Sequence, residues 1–358
     1  MKKSLIALAV LASSGAAMAQ STVTLYGIAD AYFGRTSTTD TDGIKLNQSV
    51  VNSSGFNGSR WGLRGSEDLG GGFKANFILE SGISVDSGAS ANGGALFSRQ
   101  ALVGLSGGFG SVSLGRQYTA YDTLRGATNN TLDAATFSPT GNTWANGIAD
   151  YTNRVNNSIA YTSPSFSGLS GAVVVSFGEN KTETQSAADN LSLHIKYANG
   201  PLLVGFAHQR EEVQGVDAAP GLFALDPETG VIAQGDPVEA AAASERKYNL
   251  LAASYDFGVV KLTGGYNTVK FDSLKDKEWQ FGAQVPVSAA ASVLVGYARS
   301  KAEDGDFTTK ATGYSLAGIY DVSKRTRLYV ALKNVKYKAP GERDEKSNTF
   351  GVGVRHAF

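Results

Sequence analysis

Three histidines are the only side chains of this chain that ordinarily titrate near neutrality, so acid–base catalysis or metal binding has to begin with them. They stand at His194, His208 and His356, each in a run where apolar and polar residues alternate. His194 shares its parity with Ser192 and Lys196, whereas His208 falls with Leu202, Val204 and Phe206, and His356 with Val354 and Phe358. Rings on opposite faces of separate strands do not converge, so no metal cage is expected and a catalytic triad could draw only on His194. There is no cysteine, which removes thiolate chemistry, disulfides and a lipid-bearing N-terminal cysteine together. A second candidate is the acidic run of Glu211, Glu212, Asp217, Asp226, Glu228, Asp236, Glu239 and Glu245, with no Lys or Arg between Glu211 and Arg246. Its acids lack the tight spacing of a calcium loop, and the run reads as a solvated surface loop. The sequence thus predicts no enzyme, no cofactor and no metal.

What remains is charge held on strands. Lys+Arg 32 balances Asp+Glu 32, which points away from nucleic acid and leaves electrostatic specificity to local arrangement. The counts of 43 Gly, 17 Phe and 15 Tyr against 8 Pro favour many strands joined by tight turns. At the start, Lys2 and Lys3 precede the apolar run Leu5 to Ala12, and Ala17-Met18-Ala19 offers small residues before Gln20. This is the pattern of an export signal over residues 1–19, with residues 20–358 as the mature chain. Nothing later reaches the ~20 consecutive apolar residues of a spanning helix.

From Val23 onward the dominant period is two. Val23, Leu25, Ala29, Ala31 and Phe33 oppose Thr24, Tyr26, Asp30 and Tyr32; Leu328, Val330 and Leu332 oppose Arg327, Tyr329 and Lys333. A soluble sandwich and a membrane barrel both alternate in this way, and strand length decides between them. Segments near 22–34, 72–86, 109–119, 258–271, 290–303, 309–322 and 325–338 exceed the ~5 to 6 residues usual in soluble strands and suit the ~9 to 11 that cross a bilayer at a tilt. About sixteen such segments fit, an even number as bacterial barrels require. An open edge in hydrocarbon would leave backbone groups unsatisfied, so residues 22–34 are predicted to close on 346–358. Gly107-Gly108, Asn199-Gly200-Pro201 and Asp256-Phe257-Gly258 are tight turns, whereas 35–54, 120–153, 211–245 and 339–345 read as longer polar loops. The fold class is therefore all-β, a closed antiparallel transmembrane barrel.

Several segments carry a family resemblance. They are Val23-Thr-Leu-Tyr-Gly-Ile-Ala-Asp30, Ser59-Arg-Trp-Gly-Leu-Arg-Gly-Ser-Glu-Asp-Leu-Gly-Gly-Gly-Phe73, Arg99-Gln-Ala-Leu-Val-Gly-Leu-Ser-Gly-Gly-Phe-Gly110, Leu114-Gly-Arg-Gln117, Arg154-Val-Asn-Asn-Ser-Ile159, Tyr161-Thr-Ser-Pro-Ser-Phe166 and Val352-Gly-Val-Arg-His-Ala-Phe358. In this order the chain resembles the general trimeric porins of Gram-negative β-proteobacteria such as Burkholderia, Bordetella and Neisseria. The resemblance implies a homotrimer of sixteen-stranded barrels in the outer membrane, among its lipid and lipopolysaccharide, passing small hydrophilic solutes and ions. It implies a third loop, roughly residues 118–153, folded inward to narrow the pore. Phe358, with Val354, Val352 and Phe350 on its parity, resembles the terminal signal read by the barrel assembly machinery; His356 departs from the apolar pattern.

The resemblance also supplies the pore residues. Arg60, Arg99 and Arg154 match the basic wall of the constriction, with Arg64, Arg116 and Lys196 as further lining and Asp122, Asp133 and Asp150 as the loop's acids. Guanidinium groups stay charged at every working pH and raise the local concentration of anions, so a weak to moderate anion preference is expected. On the lipid face at mid-depth an Arg would cost ~2 to 4 kcal/mol, which favours the lumen for Arg60 and Arg154. Alternation does not help Arg99, whose parity companions Ala101, Val103 and Leu105 are apolar. Two rival functions fit the same barrel, a substrate-specific channel and a surface adhesin acting through its loops.

Overall fold

A computed structural model of the chain describes residues 22–129, 132, 135–144, 150–215, 223–225, 232–234 and 242–358. The expected export signal, residues 1–19, lies outside the described residues. The strands in chain order are β1 (Thr22–Thr39), β2 (Lys45–Ser53), β3 (Arg60–Gly70), β4 (Phe73–Gly82), β5 (Gln100–Gly107), β6 (Gly110–Tyr118), β7 (Arg154–Thr162), β8 (Leu169–Ser176), β9 (Asn190–Asn199) and β10 (Leu202–Val213). A short ribbon of β11 (Phe223–Leu225) and β12 (Ile232–Gln234) follows, and then β13 (Ser244–Asp256), β14 (Lys261–Phe271), β15 (Leu274–Pro286), β16 (Ala291–Asp304), β17 (Phe307–Asp321), β18 (Thr326–Lys338) and β19 (Glu345–Ala357).

These strands close into an antiparallel barrel of 16 wall positions. β1 pairs with β19 from Ile28↔Ala357 to Thr39↔Lys346, and the backbones of Gly27 and Phe358 exchange two hydrogen bonds of 3.1 Å. The Phe358 ring lies so close over Gly27 that a Cβ there would sit 2.3 Å from it, so a side chain at 27 would displace the last residue. On its other side β1 meets β3 over residues 22–28 and β2 over 31–39, so β2 and β3 share one wall position. The polar segment 35–54, read from sequence as a loop, is in fact mostly strand: β1 runs on and turns back through β2. Its Thr, Ser, Asn and Gln side chains hid a backbone ladder that is fully paired.

Alternation sorts the faces as the period of two predicts. Val23, Leu25 and Phe33 of β1, Leu328, Val330 and Leu332 of β18, and Phe350, Val352 and Val354 of β19 are all exposed on the outside, forming an apolar belt suited to hydrocarbon. Asp30, Tyr32, His194, Gln209, Glu278 and Tyr329 are buried on the inside. Of the acidic run only Glu211, Glu212 and Glu245 are described, at the ends of β10 and β13; Asp217, Asp226, Glu228, Asp236 and Glu239 lie outside the described residues.

The third loop turns inward. Its helix α1 (Ala120–Thr128) starts at Thr119, whose hydroxyl accepts from the Asp122 amide at 3.2 Å, and buries Tyr121, Leu124, Arg125 and Thr128 at helical spacing. A 3-10 turn follows at Thr140–Asn142. Ser192 Oγ accepts from the Ala120 amide (2.9 Å), the Ala120 carbonyl meets His194 Nδ1 (2.8 Å), and Tyr121 OH donates to Asn267 Oδ1 (2.9 Å). Further along, Gln280 Nε2 donates to the Thr128 carbonyl (3.2 Å), Ser315 Oγ to the Phe137 carbonyl (2.6 Å) and Lys333 Nζ to Asn142 Oδ1 (2.6 Å). The loop is thereby fastened to β9, β14, β15, β17 and β18, and none of these bonds reaches β3 to β7.

Candidate pore site

The inner wall that those bonds leave free carries the arginines. Arg60 and Arg64 share a parity on β3, opposite Ile28 and Thr24 of β1. The Arg64 guanidinium lies 5.0 Å from the centre of the Tyr26 ring, and Tyr26 OH donates to Glu80 Oε2 at 3.0 Å. The other oxygen of Glu80 accepts from Arg99 Nε at 2.7 Å. Arg99 Nη2 donates to Tyr118 OH at 2.5 Å, and Arg154 Nη2 donates to the same phenol oxygen at 2.7 Å. One continuous network, Arg64–Tyr26–Glu80–Arg99–Tyr118–Arg154, thus links β1, β3, β4, β6 and β7. Arg60 stands beside it with no hydrogen-bond or ion-pair partner among the described residues.

Arg99 faces inward although its parity companions are apolar, because alternation holds only within a strand. Arg99 is one residue short of β5, in a bend, and only from Gln100 does the ladder fix the faces. Arg99 and Glu80 are 7% and 5% exposed, and stripping either partner from such a pair costs about 3 to 5 kcal/mol. Local irregularity also sets Tyr118 and Arg154. The β6–β7 register shifts between Gly115 and Gln117, with Gly115 at φ +126° and Asn157 at φ 46°. A Cβ on Gly115 would lie 2.2 Å from the Ala101 carbonyl oxygen, so that position accepts only glycine. Arg116 lies alongside, Nε on the Ser98 carbonyl (2.8 Å) and Nη1 on Asn156 Oδ1 (2.7 Å). Lys196 is elsewhere, on β9, a strand against which α1 packs, and does not join the network.

The loop's acids are engaged. Asp122 accepts from Tyr151 OH at 2.5 Å, and Asp150 pairs with Arg125 at 3.2 Å. Asp133 lies outside the described residues. The exposed face of α1 is Thr123, Gly126 and Ala127, which carries no charge. Sequence reasoning missed Glu80 and Tyr118; Glu80 was legible as a lone acid on the polar parity of an amphipathic strand, Tyr118 only through the network. Each histidine has its own local partner, Ala120 for His194, Asn249 for His208 and Thr326 for His356, and no cluster of potential metal ligands exists among the described residues.

Tyr118 offers a test with little structural cost. Its oxygen accepts from both Arg99 and Arg154, so Tyr118→Phe should let these two like charges separate. The expected result is a shifted zero-current potential in a salt gradient, with barrel stability changed by only about 1 kcal/mol. An unchanged potential would show that the phenol does not set the spacing of the two charges.

A closed barrel with an apolar outer belt, a loop folded against one inner wall and arginines along the other defines a transmembrane β-barrel channel. Residues 4–340 match the Gram-negative porin family, and the chain belongs to it. It is an outer-membrane diffusion channel for small hydrophilic solutes. Outer membrane porin protein 32 of Delftia acidovorans is 36% identical over 393 residues, covering 100% of both chains. An outer membrane porin protein of Bordetella pertussis is 34% identical over 420 residues, again with 100% of both covered. Among solved structures, the anion-selective porin from Comamonas acidovorans superposes with a TM-score of 0.76 at 30% identity, over 95% of this chain and 100% of that one. OmpT of Vibrio cholerae, at 14% identity and a TM-score of 0.67, shares the fold.

Proposed function

We propose that this porin prefers anions, and that Arg60, Arg99 and Arg154, with Arg64 and Arg116, form the charged wall of its constriction. The observation that carries the reading is the make-up of the arginine cluster, in which Arg60, Arg64, Arg99, Arg116 and Arg154 gather around the one carboxylate of their network, Glu80, and face a loop helix whose exposed side is neutral. Asp150 is paired with the Arg125 cation within the loop, and Asp122 is held by the Tyr151 hydroxyl. The resemblance to an anion-selective porin supports the same sign. Because the pore is wet, the field is screened over ~8 Å at physiological salt, and the preference is a bias that fades as salt rises. We further propose that residues 1–19 are removed on export, that the mature chain assembles as a homotrimer, and that Phe358 is read by the assembly machinery.

The deciding measurement is the reversal potential in an approximately tenfold salt gradient, for the wild type and for Arg60→Gln/Arg154→Gln, at low and high absolute salt. The wild type should favour anions and the double variant should move toward cations, most at low salt. A cation-selective wild type, or a double variant identical to it at low salt, would remove these arginines from the role.

A further inference from the structure

The turn between β17 and β18 borders a cavity of about 400 Å³ whose walls include Asp321, Lys324, Arg325, Arg327 and Arg355. It lies at the end of the barrel where the short turns and the C-terminus gather, which is the periplasmic end in bacterial barrels. Four of these five side chains are cationic. The one carboxylate is already taken: Asp321 accepts from Arg327 Nε at 2.7 Å and from Arg327 Nη2 at 3.0 Å.

Register makes the remaining charge unusual. Arg327 and Arg355 stand directly opposite each other on β18 and β19, an arrangement of like charges that destabilises a sheet unless something offsets it. On its other side Arg355 is opposite Asp30 of β1; Arg327 and Arg60 repel it through space, while Asp30 and Asp321 attract it. Neither carboxylate is free to bind it, because Asp30 accepts from the amides of Gly55, Phe56 and Asn57 and from Tyr329 OH. Arg355 keeps one hydrogen bond, Nε to Asn57 Oδ1 at 2.8 Å, which leaves both terminal nitrogens without a partner among the described residues. Lys324 and Arg325 likewise have no ion-pair partner among the described residues. A guanidinium presenting two parallel donors, with two further cations lining the same cavity, matches the oxygens of a phosphate or carboxylate.

We propose that this cavity is a second anion-binding site, at the periplasmic mouth, which holds small oxyanions through Arg355, Arg325 and Lys324. Its lining includes none of the wall arginines, although Arg60 lies near enough to repel Arg355, and the site does not require that wall to set the selectivity. Water access keeps the binding weak, as conduction demands: a solute must leave the station as readily as it arrives. Its consequence is sidedness, since phosphate from the periplasmic side meets this site before the constriction, and phosphate from outside meets the constriction first.

The test measures single-channel chloride current in a planar bilayer while inorganic phosphate is added to one side at a time. The chain has no cysteine, so Asp42→Cys in the exposed β1–β2 turn, blocked by an impermeant thiol reagent, reports which way each channel faces. Phosphate should reduce the current at about threefold lower concentration from the periplasmic side, a modest ratio because the site is screened by water and salt. Arg325→Gln/Arg355→Gln should erase that difference, whereas Arg60→Gln/Arg154→Gln should keep it even while the reversal potential moves. Should the Arg355 variant fold poorly, Lys324→Gln/Arg325→Gln at the turn carries the same expectation without touching the strand ladder. Equal potency from both sides in the wild type, or sidedness that survives either turn variant, overturns the proposal.

Discussion

Asp30→Ala is expected to be among the most damaging single substitutions in the barrel. The residue is 0% exposed, and its two oxygens accept from Gly55 N (3.1 Å), Phe56 N (3.0 Å), Asn57 N (2.7 Å) and Tyr329 OH (2.6 Å). These bonds hold the segment between β2 and β3, and through Tyr329 they join the first strand of the chain to the eighteenth. The same segment receives the third loop, since Thr136 N donates to the Ser54 carbonyl at 3.2 Å and Phe137 N to that of Gly55 at 3.3 Å. Hydrogen bonds to a charged acceptor contribute about 1.5 to 3 kcal/mol each, so losing four should cost at least about 4 kcal/mol after partial relaxation. Two readouts follow: a lower urea midpoint for the detergent-folded barrel, and a less uniform single-channel current because the loop has lost its seat. Asp30→Asn keeps one carbonyl oxygen and should fall between the two. Wild-type values for both readouts in Asp30→Ala would mean that the carboxylate is dispensable to fold and loop alike.

Arg125 should control the loop and leave the wall alone. Its guanidinium lies 4.8 Å from the centre of the Trp144 ring and 4.6 Å from that of Tyr151, and it pairs with Asp150 at 3.2 Å. Its Nε has no hydrogen-bond partner, so the two rings and the single carboxylate are what hold it. Each desolvated cation–π contact is worth about 2 kcal/mol, enough together to fasten the returning arm of the loop to α1. No wall strand uses Arg125 in its ladder. Arg125→Ala should therefore leave the unfolding midpoint of the barrel near wild type, while the open-channel current becomes noisier and larger as the loop moves off its wall. Arg125→Lys keeps the charge without the planar stacking, and intermediate noise is expected. A quiet channel of normal conductance in Arg125→Ala would place the loop's anchorage in its hydrogen bonds to the barrel wall and to the segment between β2 and β3.

The barrel itself is legible in the sequence. A period of two sustained over long segments, with charged and apolar residues sharing each strand, admits a lipid-facing belt and a watery interior, and unsatisfied edges in hydrocarbon force closure. The pairing of residues 22–34 with 346–358 follows from that necessity, and β1 and β19 do pair. Family motifs named Arg60, Arg99 and Arg154, which the fold brings to one inner wall, and Lys196, which it places on β9 away from them. Alternation states only which face of a strand a residue takes, however, and it lapses at strand ends and bulges. Arg99, one residue outside β5, and Tyr118, beside the shifted register of β6 and β7, take directions that no local pattern encodes. Polar composition likewise concealed β2, because a ladder above the membrane needs no apolar face. Which acids stay free was also beyond the sequence: Asp150 meets Arg125 and Asp30 meets three amides only once strands and loops far apart in the chain are brought together. Alternation, strand length and composition set the barrel, its two faces and its supply of charge. The tertiary structure decided which of those charges are neutralised, because pairing depends on distances across the barrel that a period of two does not carry.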